Sequence, residues 1–122
     1  MSCVGEGMNK AHKNLKVWRE ALSLTTLVYR VTAKLPEGEK FGLVTQMRRA
    51  AVSIPSNIAE GAARQTNKDS HRFYVFARSS LCELDTQIEL CKALDFLSAV
   101  HCTELVQKID IVDALLSGLV RF

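Results

Sequence analysis

Apolar positions recur along this chain at steps of three and four, in four blocks of similar length. The blocks are separated by LPEG at 35–38, RQTNKD at 64–69 and ALDFLSA at 93–99. In the first block Trp18, Leu22, Thr25, Val28/Tyr29 and Thr32 share one stripe, while Lys16, Arg19, Ser23, Arg30 and Lys34 fall on another face. The spacing predicts a helix over about 14–34, stopped by Pro36, with Gly38 relaxing the turn that follows. In the second block Leu43, Met47, Ala50, Ala51, Ile54, Ile58 and Gly61 line up against a polar row of Gln46, Arg49, Ser53, Asn57, Glu60 and Arg64. This predicts a second helix over about 39–64. Pro55 falls inside it, removing the hydrogen bond to the Ala51 carbonyl at a cost of about 3 kcal/mol. Because the stripe keeps its phase across Pro55, a kink is expected and not a break.

The third helix is expected to be capped by Asn67 or Thr66. Its core stripe reads Phe73, Ala77, Ser80, Leu84, Ile88 and Cys91, and a second stripe of Val75, Ser79, Cys82, Thr86 and Leu90 lies on nearly the opposite side. The fourth helix, from near Ser98, carries Cys102, Leu105, Ile109, Val112, Leu116 and Leu119 in a seam close to that of a coiled coil, with Val100, Ile111, Leu115 and Phe122 outside it. Four such helices on short connections pack most simply as an all-α, antiparallel up-down-up-down four-helix bundle with a Pro-kinked second helix. Small residues at Ala50, Ala51, Ala59, Gly61, Ala62 and Ala63 let a neighbouring helix come close. The surplus stripes, with Leu24, Leu27 and Val31 on the first helix, predict either broad core faces or an apolar surface that a second copy of the chain covers.

Length and composition bound the rest. With 122 residues, 48% of them hydrophobic and only 2 Pro and 6 Gly, the chain predicts one globular domain over 14–122 behind a flexible N-terminal tail at 1–13. A two-domain enzyme, a collagen and a disordered chain are excluded. Cys3, Cys82, Cys91 and Cys102 form no CxxC pair, and Cys82 and Cys91 sit on opposite sides of one helix, so reduced thiols, a cytoplasmic location and no membrane partner are expected. No apolar run of secretory or spanning length occurs.

Chemistry-bearing constellations are missing. No nucleophile stands with a base, His12, His71 and His101 lack a spaced ligand partner, and the glycines match no phosphate-cradling loop. The pairs Asp85/Glu89 and Asp110/Asp113 read as solvated faces, and Glu60 with Arg64 as a stabilising i,i+4 pair. Catalytic residues, metal and cofactors are accordingly expected to be absent.

Charge is distributed unevenly. Residues 1–72 carry 12 Lys and Arg against 6 Asp and Glu, whereas 73–122 carry 4 against 7. Lys16, Arg19, Arg48, Arg49, Arg64, Lys68 and Arg72 are the candidate contacts to RNA or DNA phosphates. Aromatic residues are few, so a base-stacking platform is not indicated. A merely solvated basic face, on a chain that acts as a protein-interaction scaffold, gives the same pattern.

The run QMRRAAVSIPSNIAEGAAR at 46–64, with LKVWREA at 15–21, VYRVTAKLPEGEKFGL at 28–43 and RFYVFARSSLCELDTQIEL at 72–90, resembles the four-helix bundle family of 23S rRNA intervening sequence proteins, also called ribosomal-protein-like. The third-helix motif departs from the family pattern at Ser79, where Gly is usual. The resemblance implies a homo-oligomeric ring, commonly a pentamer, with Val75, Ser79, Cys82, Thr86 and Leu90 facing a neighbouring subunit. It marks Pro55, Asn57, Glu60 and Gly61 as structural signature positions, with Arg49, Asn57 and Glu60 tying the second helix to its neighbours. On the functional account, Arg48, Arg49 and Arg64 form a cationic patch repeated around the ring. A related branch includes the accessory variability determinant protein of diversity-generating retroelements, a basic ring that associates with reverse transcriptase and nucleic acid. This implies RNA or DNA, and a protein partner such as a nucleic-acid enzyme, as ligands. The family brings no catalytic residues.

Overall fold

A computed structural model describes residues 11–120. Among the described residues there are four α-helices, two 3-10 turns and no strand. Helix α1 spans Lys16–Thr32, α2 Leu43–Ala62, α3 Asn67–Ala93 and α4 Ala99–Val120. Helix α1 packs on α2 and α4, and α3 packs on the same two. Across α2 and α3 the touching pairs are Met47 with Cys91, Ser53 with Ser80 and Gly61 with Tyr74, so rising numbers in one helix meet falling numbers in the other.

The ends of the helices follow local chemistry. Helix α2 starts at Leu43, the first residue of its stripe and four residues later than the expected span, because Glu37–Glu39 closes a 3-10 turn behind Pro36 and Gly42 has φ −111° and ψ −109°, outside helical geometry. Glu39 Oε1 then accepts from the Leu43 amide at 3.3 Å. At the start of α3, Thr66 serves as the cap, its hydroxyl accepting from the Asp69 amide at 3.2 Å. The end of α3 is a Schellman turn. The Phe96 amide donates to the Cys91 carbonyl at 2.8 Å, the Asp95 amide to the Lys92 carbonyl at 3.2 Å, and Asp95 takes the left-handed φ of 56° that this turn requires. Ala11–Asn14, inside the segment expected to be a flexible tail up to residue 13, forms a 3-10 turn packed on α1 and α2. The rest of the expected tail, 1–10, and Phe122 lie outside the described residues.

The core corrects three of the four predicted faces. On α1 the buried residues are Val17, Ala21, Leu24, Leu27, Val28, Val31 and Thr32, so Leu24, Leu27 and Val31, expected as surplus, join Val28 and Thr32 of the expected stripe in the core, whereas Leu22 and Tyr29 are exposed. The cause is geometric: α1 needs one wide face to meet both α2 and α4, and Leu24, Leu27, Val28 and Val31 supply it. On α3, Tyr74, Leu81 and Gln87 are buried, while Phe73 and Ser80 from the expected stripe are half-buried. On α4 the seam from Cys102 to Leu116 is buried, and its last member Leu119 is exposed. Cys91 lies fully buried with its thiol against the Met47 sulfur, and burial pushes its pKa up to about 11, so it stays a neutral packing group.

Pro55 lies inside α2, and the helix is continuous through it. Lacking an N–H, Pro55 leaves the buried Ala51 carbonyl without its i+4 donor. Thr25 on α1 fills that gap. Its hydroxyl is 3.0 Å from the Ala51 carbonyl and 2.9 Å from the Ala21 carbonyl, so one proton is shared between its own helix and the neighbouring one. Six residues on, Gly61 makes room for the Tyr74 ring of α3: a Cβ there would stand 2.5 Å from Tyr74 Cε1. The Gly61 carbonyl also accepts from the Ser70 hydroxyl at 2.8 Å.

Replacing Thr25 by valine keeps the shape and removes the donor, so Thr25→Val is expected to cost about 1–2 kcal/mol. In a Pro55→Ala background, where residue 55 again supplies an amide, the same change is expected to cost measurably less. Urea unfolding of the four proteins of this cycle measures the coupling. Equal costs in both backgrounds would show that the Ala51 carbonyl does not depend on Thr25.

Candidate nucleic-acid interface

Three local settings hold the seven candidate cations, and they are not equivalent. Arg48 is committed to α1. Its Nε donates to the Thr32 hydroxyl at 3.0 Å, its Nη2 donates to the Tyr29 carbonyl at 3.1 Å, and its guanidinium lies 4.5 Å from the centre of the Tyr29 ring. The Thr32 hydroxyl in turn donates to the Val28 carbonyl at 2.7 Å. Arg48 is thus a clamp on the last turn of α1, with its Nε and Nη2 engaged there. Arg49, about 100° further round α2, is exposed and forms no hydrogen bond or ion pair among the described residues.

The second setting is the start of α1, where Lys16 and Arg19 are exposed and Arg19 Nη1 donates to the Lys13 carbonyl at 3.0 Å. The third is the connection from α2 to α3. Arg64 pairs with Glu60, as the i,i+4 spacing predicts, and its guanidinium lies 4.5 Å from the centre of the Phe73 ring. Arg72 lies 5.2 Å from the same ring centre, and Lys68 stands one turn earlier on α3. The second and third settings occupy the same end of the bundle: His12, edge-on to Trp18 at 5.0 Å, lines one groove with Pro55 and Ala59 of α2. Phe73 as an organiser of two arginines was missed in the sequence because its spacing reads as core. The available sign was its place directly after Arg72 and across a short connection from Arg64.

The signature residues hold α2 together in ways the sequence only partly implies. Asn57 donates to the Ser53 carbonyl at 2.8 Å and to the Ser53 hydroxyl at 2.9 Å, and Glu60 meets Arg64, so both work within α2 or at its end and not across to neighbouring helices. Polar ties from α2 to its neighbours come instead from Thr25 to Ala51, from Arg48 to Thr32 and Tyr29, from Ser53 to Ser80 at 2.8 Å, and from Ser70 to Gly61. Gln87, buried on α3, donates to Glu83 at 3.3 Å, and its Oε1 has no partner among the described residues.

On the outer side of α3, Ser79, Cys82, Thr86 and Leu90 are exposed and Val75 is half-buried. A second apolar strip lies between α1 and α2, where Leu22 and Val52 are 40% and 42% exposed beside Trp18, so the unsatisfied apolar area is not confined to α3. The acidic half is partly paired: Arg78 reaches Asp113 across α3 and α4 at 3.4 Å. Among the described residues no three His, Cys, Asp or Glu side chains gather in a way that could hold a metal ion, and no helix is long and apolar enough to cross a membrane.

Comparison with known proteins agrees with this geometry. The model of the 23S rRNA-intervening sequence protein family matches residues 13–118, from the turn before α1 to the last turn of α4. The chain belongs to this family. It is also similar in fold to the crystal structure of a protein of unknown function from the S23 ribosomal protein family of Bacteroides thetaiotaomicron. The TM-score is 0.81 and the identity 19%, over 87% of this chain and 99% of that one. No curated protein matches significantly. The run at 46–64 that carries the resemblance coincides with α2 and its exit, where the Ala51 carbonyl meets Thr25 and Gly61 meets Tyr74.

The two neighbouring arginines of α2 are expected to separate by experiment. Arg48→Ala should lower stability by about 1–2 kcal/mol, through the loss of two charge-assisted hydrogen bonds and the Tyr29 contact. Arg49→Ala should change stability by less than about 0.5 kcal/mol. Guanidinium unfolding checks both, and equal effects would contradict the assignment of Arg48 as a clamp.

Proposed function

We propose that this member of the 23S rRNA-intervening sequence protein family is a non-enzymatic, ring-forming bundle that binds the backbone of RNA or DNA in the cytoplasm, as an accessory subunit to a nucleic-acid enzyme. The observation that carries this reading is that Lys16, Arg19, Arg49, Lys68 and Arg72 are all exposed with no carboxylate partner among the described residues. Surface cations that serve only solubility are usually interspersed with acids. Cations left unpaired can release phosphate counterions on binding, and repetition around a ring would turn weak contacts into an avid one. What the resemblance implies through the related branch of retroelement accessory proteins supports the same ligand class and a nucleic-acid enzyme as partner.

A homo-oligomeric interaction scaffold without a nucleic-acid role is the second reading, favoured by the exposed apolar positions on α3. Leu90 is 47% exposed there, beside Cys82 and Thr86.

Affinity of the purified protein for a structured RNA and a matched DNA duplex is expected to fall linearly with salt on log–log axes. Reversing Lys16, Arg19 and Arg49 to Glu, none of which the fold uses as Arg48 is used, should abolish that binding with helicity and particle mass unchanged. Absence of binding by the unaltered protein at low salt would leave the scaffold reading.

For assembly, Cys82→Glu or Leu90→Glu is expected to give smaller particles by light scattering with helical content kept. Unchanged mass would remove this face from the subunit interface.

A further inference from the structure

The corner where α2 gives way to α3 carries an arrangement more specific than a charged surface. Phe73 is half-buried, and two guanidinium groups lie against its ring, that of Arg64 at 4.5 Å and that of Arg72 at 5.2 Å from the centre. Phe76 meets the same ring edge-on at 5.9 Å. The two arginines differ in what they have left to give. Arg64 spends its Nε on the Glu60 carbonyl and its Nη2 on the Glu60 carboxylate. Arg72 is exposed and forms no hydrogen bond or ion pair among the described residues. A guanidinium resting on an aromatic ring is held in place while its N–H groups, which lie in its own plane, stay available to a planar or tetrahedral oxyanion. Lys68 and Arg72 line one open groove with Asp69, His71, Val75 and Phe76. The cations stand four residues apart on α3, which sets their Cβ atoms about 5–6 Å from each other.

We infer that this groove is a docking point for the phosphodiester backbone, in which Lys68 and Arg72 contact phosphate oxygens and Phe73 is the positioning residue that holds Arg72 ready. The inference rests on the proposed nucleic-acid reading and says where on the chain, and through which atoms, it operates. The groove suits phosphate and not base. The ring beside the cations is already engaged by two guanidinium groups and by Phe76, so it is not a free platform for a nucleobase. Glu60 neutralises Arg64, which leaves that arginine as the inner support of the ring and Arg72 as the outward contact. Asp69, in the same groove, repels a chain that does not place its phosphates on the Lys68 and Arg72 side, which gives the contact a direction.

Four single variants of the full chain, each bound to a 20-base-pair RNA duplex and to a 20-nucleotide oligouridine across a salt series, test the assignment. Arg72→Gln is expected to weaken both complexes about tenfold and to lower the log–log salt slope by about one per site. Arg72→Lys keeps the charge but not the stacked fork, so it should keep the slope and still lose several-fold in affinity. Phe73→Leu should behave like Arg72→Lys, and Phe73→Tyr should restore unaltered binding, which a purely structural role for the ring at equal thermal stability would not give. If Arg72→Gln leaves affinity and slope unchanged while the triple reversal of Lys16, Arg19 and Arg49 abolishes binding, this groove is not the docking point although the nucleic-acid reading stands. A loss confined to oligouridine would also overturn it, in favour of base stacking. If the unaltered protein binds neither ligand at low salt, both fall.

Discussion

A proline in the middle of a long helix creates the constraint around which this bundle is arranged. Pro55 cannot donate to the Ala51 carbonyl, and that carbonyl is buried, so its partner has to come from another element. The hydroxyl of Thr25 provides it and thereby fixes the height of α1 against α2. Once that height is set, Arg48 meets the Thr32 hydroxyl and the Tyr29 carbonyl near the end of α1, and Trp18 comes beside Pro55 and Ala59 near its start. On the other side of α2, Gly61 admits Tyr74 and Ser53 meets Ser80, so α3 is registered by contacts on the same helix. Helix α2 is the element on which both neighbours are indexed.

Much of this is legible in the sequence. The four blocks, the polar connections, the place of Pro55 and the Glu60–Arg64 pair all follow from spacing alone, because periodicity reports a helix and its faces directly. Spacing does not report which of two apolar faces points inward. On α1 the stripe with Trp18 and Leu22 and the stripe with Leu24, Leu27 and Val31 are both helical, and only the presence of two neighbours, α2 and α4, draws the second into the core with Val28 and Thr32 of the first. The same limit hides Gln87, whose polar amide argues for a surface while its position is buried.

The basic residues show the limit more sharply. Arg48 and Arg49 are adjacent in sequence and equal in charge, yet one is bound into the fold and the other stands in solvent, because one step along a helix is a turn of about 100°. Charge composition therefore marks the basic half of the chain correctly and cannot say which cations are free. Phe73 was hidden for a related reason: its role depends on two arginines brought together from either side of a connection, which no periodic pattern encodes.

The opposite signs of the two halves of the chain have a consequence for motion. With 12 Lys and Arg against 6 acids before residue 73, and 4 against 7 after it, the subunit is an electric dipole. In the field of a polyanion it feels a torque while still in free diffusion, so the basic edge turns to the front before any contact forms. In a closed cyclic assembly the components of these dipoles perpendicular to the symmetry axis cancel, and only those along the axis add. The tilt of one bundle within such an assembly would then decide whether the whole particle is steered end-on toward its target or meets it in every orientation alike.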